Sequence, residues 1–301
     1  MLKRITVLPG CPIIPDFCSE GYNAILLYFS QHQHSYKNLN TAQNNYERTG
    51  LNRHTRTHTA TRIIMSFKDK NILVVGGTSG IGLETANALQ AKGANVITAS
   101  RKKPETDTEL QHITLDVLQL DNSITEQLPD VLHGLVYCPG SIKLKPFERL
   151  QLEDFRNDLE LNVLGAVQVL KAVMPLLKKT DGASVVLFST VAAQLGMPFH
   201  TSIATAKAAI QGLTVSLAAE YATSGIRFNA IAPSLTDTPL AASLLNTSEK
   251  AEAAGKRHPL GRVGTPQDMA QAALYLLSDE ASWMTGQVLH LDGGMSSVKL
   301  L

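Results

Sequence analysis

Asn71-Ile72-Leu73-Val74-Val75-Gly76-Gly77-Thr78-Ser79-Gly80-Ile81-Gly82 is the stretch that decides the fold. Asn71 to Val75, apolar and rich in β-branched residues, predicts a short strand buried on both faces. Ile81 to Lys92 follows with apolar residues at helical spacing and stops at Gly93, which predicts a helix. Between them, each glycine has a physical task. Gly76 allows a tight turn, Gly80 keeps side chains away where a pyrophosphate approaches, and Gly82 lets the helix pack close to the sheet. Thr78, Ser79 and Ile81 complete the turn at the helix N-terminus, where free N–H groups and the positive dipole end favour phosphate. A glycine triplet alone is weak, but one between a buried strand and a helix predicts a dinucleotide site.

Outward from this turn, strand and helix patterns alternate. Further strands are predicted at Asn95–Ala99, Ile113–Leu115, Leu135–Cys138, Ala183–Phe188, Ile226–Ile231 and Val288–Leu291. Helices are predicted over Leu152–Leu177 and Thr201–Tyr221, and over Gln267–Leu277 with Pro266 at its first position. Strands separated by helices imply right-handed crossovers and an α/β fold, a Rossmann-like doubly wound parallel sheet. No repeat or linker interrupts residues 66–301, so 65–301 reads as one domain.

Residues 1–64 are a different kind of sequence. They hold seven Lys/Arg against three Asp/Glu, four of the nine histidines, and no helical or strand periodicity. They read as a disordered or artefactual extension before Met65-Ser66-Phe67; a transit peptide, a signal peptide and a metal role for the histidines are the other readings. Over the whole chain the net charge is +1, which favours neither nucleic acid nor an acidic membrane surface. No apolar run approaches the roughly 20 residues of a membrane helix. Cys11, Cys18 and Cys138 make no disulfide framework, and the expectation is a reducing, cytoplasmic setting.

The glycine turn, Asp116-Val117, Pro233-Ser234-Leu235-Thr236-Asp237-Thr238 and the segment Trp283 to Gly294 together resemble the short-chain dehydrogenase/reductase family over about residues 68–295. The resemblance implies that Asp116 and Val117 contact adenine, and that Pro233, Thr236 and Thr238 close over the nicotinamide. Val75 and Ser234 depart from the family's threonine and glycine. Of the family's Asn-Asn-Ala-Gly turn only Gly140 survives, in Tyr137-Cys138-Pro139-Gly140. An NAD site usually has an acid after the second strand, on the ribose hydroxyls. Here Ser100-Arg101-Lys102-Lys103 stands there. A carboxylate repels a 2′-phosphate, whereas Arg101 can pair with one, so NADP(H) is preferred over NAD(H); a merely solvated basic loop is the other reading.

The resemblance also implies a catalytic set. Asn162 matches the family's asparagine, which holds a relay water. Thr190 stands at the serine position, with Ser189 beside it as a weaker substitute. Lys207 matches the lysine that holds the nicotinamide ribose. The tyrosine position, four before that lysine, is Ile203, which has no titratable atom. Carbonyl reduction needs a proton donor within about 2.6–3.2 Å or through one water. His200, seven before Lys207, has the spacing of the tyrosine in the enoyl-carrier-protein reductase branch, and a histidine can donate near neutral pH. A loop histidine without chemistry is the bland alternative. Tyr137 is a weaker candidate and is expected to pack beside the cofactor. The expected function is an NADP(H)-dependent oxidoreductase acting on a carbonyl or an activated double bond; the alternative is a catalytically impaired nucleotide-binding sensor or partner subunit. Leu240 to Pro259 is expected to form a mobile helical lid. Family members commonly assemble as dimers or tetramers through the long helices, so a homo-oligomer acting on a small-molecule substrate is expected.

Overall fold

Seven parallel strands form a single sheet in the order β3-β2-β1-β4-β5-β6-β7 in this computed structural model. The structure describes residues 65–103, 110–120 and 122–300. The readings made for residues 1–64, Cys11 and Cys18 included, lie outside the described residues.

The strands are β1 Asn71–Val75, β2 Asn95–Ser100, β3 Gln111–Thr114, β4 Gly134–Tyr137, β5 Ser184–Phe188, β6 Arg227–Pro233 and β7 Val288–Leu291. The helices are α1 Gly80–Gln90, α2 Leu152–Leu159, α3 Gly165–Leu177, α4 Thr201–Tyr221, α5 Ser248–Gly255 and α6 Pro266–Leu277. The two-residue period of a strand explains why the sheet needs helices on both sides. Leu73 and Val75 point into one core with Val169, Leu170 and Val173 of α3 and Ile210 of α4. Ile72 and Val74 point into the other, with Ala86 and Leu89 of α1 and Met269, Leu274 and Leu277 of α6. Strand order reverses between β1 and β4, and a crevice opens there at the carboxyl ends of the strands, where ligands of such sheets bind.

Three differences from the sequence expectations have physical causes. The helix expected over Leu152–Leu177 is interrupted by one π-helical turn, Glu160–Leu164, between α2 and α3. Hydropathy does not detect a one-residue insertion of this kind, which changes no residue's polarity. Taken together Leu152–Leu177 is long and apolar enough to cross a membrane, contrary to the composition reading; here α3 lies against the sheet and buries Val169, Leu170 and Val173 in its core. Finally, β6 runs two residues past Ile231, because Ala232 and Pro233 pair with His290 and Leu291 of β7. That extension delivers Pro233 and Ser234 to the crevice.

Pro266 does open α6, with Thr265 as its cap. The Thr265 hydroxyl accepts from the Asp268 amide, and the Asp268 carboxylate accepts from the Thr265 amide at 2.8 Å. The segment 240–259 is formed by a 3₁₀ turn that begins one residue earlier, Pro239–Leu244, followed by α5, whose Thr247 cap accepts from the Lys250 amide.

Candidate active site

The glycine turn is shaped as its residues require, with one change of reason. Gly76 and Gly80 have φ of +76° and +50°, in the left-handed region open to glycine. Gly82 is needed for a closer contact than that of helix and sheet. A Cβ there would stand 2.2 Å from the Gly76 carbonyl oxygen, so the helix start is seated on the turn itself. Ser79 is the N-cap, in extended conformation, and its side chain does not cap the helix. The Thr78 hydroxyl donates to Ser100 Oγ (3.0 Å), and Ser100 donates to the Lys102 carbonyl (2.6 Å), which ties the turn to the end of β2. Arg101 is exposed beside it. Beyond β3, Asp116 accepts from the Leu118 amide at 3.0 Å, while Val117 is buried in the core. A Cβ on Gly80 would meet Thr238 at 3.4 Å, so the glycine turn and the segment after β6 face each other.

A cavity of about 320 Å³ opens beside these residues. Ile81, Gly140, Thr190, His200, Ile203, Lys207, Pro233, Thr236 and Thr238 all line it. Thr78, Ser100, Arg101, Asp116 and Val117 are not on its wall. Asn162 sits behind Gly140, fully buried on the π turn. Its amide Nδ2 donates to the Asp158 carbonyl (2.9 Å) and contacts Ser141 Oγ at 3.4 Å, and its Oδ1 has no protein partner. A Cβ on Gly140 would stand 3.3 Å from that Oδ1 and 3.5 Å from Lys207 Nζ. Thus Asn162, Gly140 and Lys207 converge on one point.

Lys207 is buried and donates to the Phe188 carbonyl at 2.8 Å. Burial pushes its ammonium down to about 8, partly offset by the Asp158 carboxylate nearby. The Cys138 thiol is enclosed and pushed up to about 12, so it is not a thiolate at neutral pH. Thr190 donates to the Pro233 carbonyl (3.3 Å) and accepts from the Ala192 amide. Ser189 donates to the Lys207 carbonyl (3.0 Å), a bond that anchors α4. His200 is partly exposed on the rim, its Nδ1 2.7 Å from the Pro198 carbonyl. It follows Phe199, the one left-handed non-glycine residue on this loop.

Tyr137 corrects an expectation. It does not pack on the cavity wall: its hydroxyl donates to the Leu161 carbonyl at 2.7 Å, inside the core shared with α3. Strand alternation explains this, since Tyr137 shares its sheet face with Leu135. Burial raises its phenol further above the usual range.

Two clusters gave no sequence signal. Asp158 is buried and accepts from Ser141 and Ser202, each at 2.6 Å, joining α2, α4 and the loop after β4. Ser234, at the end of β6, lies 2.8 Å from Nε2 of the buried His258, whose Nδ1 is 2.8 Å from the Ala254 carbonyl on α5. Both join side chains 17 to 44 residues apart in the chain, which no local pattern encodes.

Known proteins resemble this chain in sequence and fold. The family described as enoyl-(acyl carrier protein) reductase matches residues 75–296. A 3-oxoacyl-(acyl-carrier-protein) reductase of Thermotoga maritima is 33% identical over 247 residues, covering 77% of this chain and 99% of its own. The ligand-free aldohexose dehydrogenase of Thermoplasma acidophilum superposes with a TM-score of 0.73 at 30% identity, covering 79% of this chain and 98% of its own. A tyrosine-to-phenylalanine variant of ElxO with NADPH bound superposes with a TM-score of 0.70 at 27% identity, covering 76% of this chain and 100% of its own. A sheet ordered β3-β2-β1-β4-β5-β6-β7, a glycine turn at its switch point and sequence kinship across nearly the whole of such relatives lead to one conclusion: the chain belongs to the short-chain dehydrogenase/reductase family.

Proposed function

We propose that this protein is an NADP(H)-dependent oxidoreductase. The observation that supports it most is the convergence of Asn162 Oδ1 and Lys207 Nζ at Gly140, beside Thr190, on a largely apolar cavity at the strand ends. A pyridine dinucleotide fits these residues. Gly76 and Gly80 take backbone shapes that leave the turn without side chains, the Asn162 acceptor has no protein partner, and the Lys207 ammonium stands where it can donate to a ribose. The α1 N-terminus would hold the pyrophosphate, Arg101 the 2′-phosphate, Asp116 and Val117 the adenine, and Pro233, Thr236 and Thr238 the nicotinamide end. Bound there, the nicotinamide supplies or accepts a hydride. Thr190 would orient the substrate oxygen, and the apolar wall would exclude water from the transfer.

Ile203, which replaces the family's tyrosine, supports a second reading: a nucleotide-binding sensor or partner subunit with impaired catalysis. His200 also lines the cavity; with Nδ1 donating to the Pro198 carbonyl, its open Nε2 would deliver a proton only from the imidazolium form. The two readings separate in one experiment. NADPH binding is titrated, and NADPH oxidation is followed against ketones, quinones and enoyl thioesters. Turnover with any of them supports the enzyme; tight binding without oxidation selects the sensor. A cytoplasmic setting suits the free thiol of Cys138 in the cavity. A homo-oligomer suits the outer face of α4, where Ala208, Ala209, Gly212 and Val215 are exposed.

A further inference from the structure

Ile203 leaves the cavity wall without a proton at the tyrosine position, and most hydroxyls around the cavity rest their own protons on backbone carbonyls. Thr190 donates to the Pro233 carbonyl, Thr236 to the Ser234 carbonyl, Thr238 to the Thr236 carbonyl and Ser189 to the Lys207 carbonyl. Ser141 donates to Asp158, a carboxylate already shared with Ser202 and close to the Lys207 ammonium. None of these ends on an imidazole nitrogen. Ser234 does.

The tautomer follows from the partners. A carbonyl oxygen only accepts, so the ring nitrogen 2.8 Å from the Ala254 carbonyl, Nδ1 of His258, bears hydrogen. In the neutral ring Nε2 is then a lone pair, and the hydroxyl 2.8 Å away must donate to it. The Ser234 proton is thereby directed at His258, and the lone pairs of Ser234 Oγ are left for a donor in the cavity that Ser234 lines. A hydroxyl, a base within hydrogen-bond reach and a third group orienting the base are the parts of an activated oxygen.

We propose that Ser234 and His258 are the proton-exchanging pair of this cavity. This rests on the oxidoreductase reading. In the oxidative direction the substrate O–H donates to Ser234 Oγ. As the carbinol C–H is transferred as hydride to the oxidised nicotinamide that the oxidoreductase reading supplies, the substrate proton passes to Ser234 Oγ and the Ser234 proton to Nε2. The carbonyl forms, and His258 becomes an imidazolium that still donates from Nδ1 to Ala254. The same path in reverse returns the proton to water once the product has left, or to the substrate oxygen during reduction.

The test uses the full chain and the variants Ser234→Ala, Ser234→Thr and His258→Gln. Oxidation of 2-octanol and cyclohexanol is followed with NADP⁺, and reduction of the matching ketones with NADPH. Loss of a general base or acid lowers kcat roughly 10²- to 10⁴-fold, so Ser234→Ala and His258→Gln are expected to fall in that range while the NADPH dissociation constant changes by less than about threefold. Ser234→Thr, which keeps the hydroxyl, is expected to recover most of the rate. A second readout needs no turnover. Nitrogen-15 spectra of histidine-labelled protein should show His258, assigned by its loss in His258→Gln, as the neutral Nδ1–H form, with its Nε2 signal moved in Ser234→Ala. Wild-type kcat in Ser234→Ala, or a neutral His258 protonated at Nε2, overturns the pair while leaving the oxidoreductase reading intact. Binding of NADPH with no oxidation or reduction of any of these compounds by the unmodified protein overturns the pair. If ketones, quinones and enoyl thioesters outside this set also give nothing, the oxidoreductase reading falls as well.

Discussion

Lys207 is the buried charge on which the site turns, and its position has a measurable cost. Its ordinary value is 10.5, and burial lowers it to about 8 in the folded protein. Between those values the unfolded chain binds more protons than the folded one, so stability rises with pH across that window. Below about 8 both states hold the proton and the penalty on the fold is constant. Lys207→Met removes the titration. Urea unfolding at pH 7.5, 8.5 and 9.5 should show the unmodified protein gaining stability relative to Lys207→Met as pH rises; a constant difference would count against a buried ammonium. Arg101 makes a separate prediction. Its guanidinium is exposed; on the proposed NADP(H) reading it would pair with the 2′-phosphate, and charge-assisted bonds of this kind are worth about 1.5–3 kcal/mol. Arg101→Ala is expected to weaken NADPH at least tenfold and NADH by less than about twofold, as read by fluorescence titration; equal losses for the two would return the preference to neither cofactor. At Tyr137 the expectation is structural. Tyr137→Phe removes the donor to the Leu161 carbonyl, which should lower stability by about 1 kcal/mol and leave kcat within a few-fold of its original value.

The π turn is the element that no residue-by-residue reading supplied. It sits between α2 and α3, carries Asn162, and is fastened by Tyr137 from the sheet and by Asp158 from the turn before it. Asn162 was legible as a residue from the family resemblance, but its support was not, because Asp158, Ser141 and Ser202 meet only after three elements have packed. The same holds for Ser234 and His258. By contrast β1, the glycine turn and α1 were legible because all their requirements are local: an apolar run, residues free to take positive φ, and a helical period. Even there the reason for Gly82 was hidden, since the atom it approaches is the carbonyl of Gly76, six residues earlier. Gly82→Ala therefore tests the turn as an element. Its Cβ would force backbone apart, so a loss of about 1–3 kcal/mol in chemical denaturation is expected, together with weaker NADPH binding. Unchanged melting and binding would mean that α1 has room to retreat.

At the scale of the whole molecule, α4 has two unlike sides. Ile203, Ala206, Lys207 and Ile210 are buried, whereas Ala208, Ala209, Gly212 and Val215 face outward. Small residues let another backbone come close, and a second copy of this helix would find the same surface. Ala208→Arg is expected to convert an oligomer to a monomer in sedimentation analysis while the circular dichroism stays unchanged; an unaltered assembly state would move the contact to another face. The sheet itself has a consequence of a different kind. It divides the apolar interior into two compartments, with Ile72 in one and Ile210 in the other, each almost wholly enclosed. Trimming one methylene by Ile72→Val or Ile210→Val should cost about 0.5–1.5 kcal/mol apiece, and the double variant should equal the sum to within about 0.5 kcal/mol. A wall of hydrogen-bonded backbone transmits little side-chain adjustment, so each chamber can accumulate substitutions on its own schedule, without a compensating change on the far side.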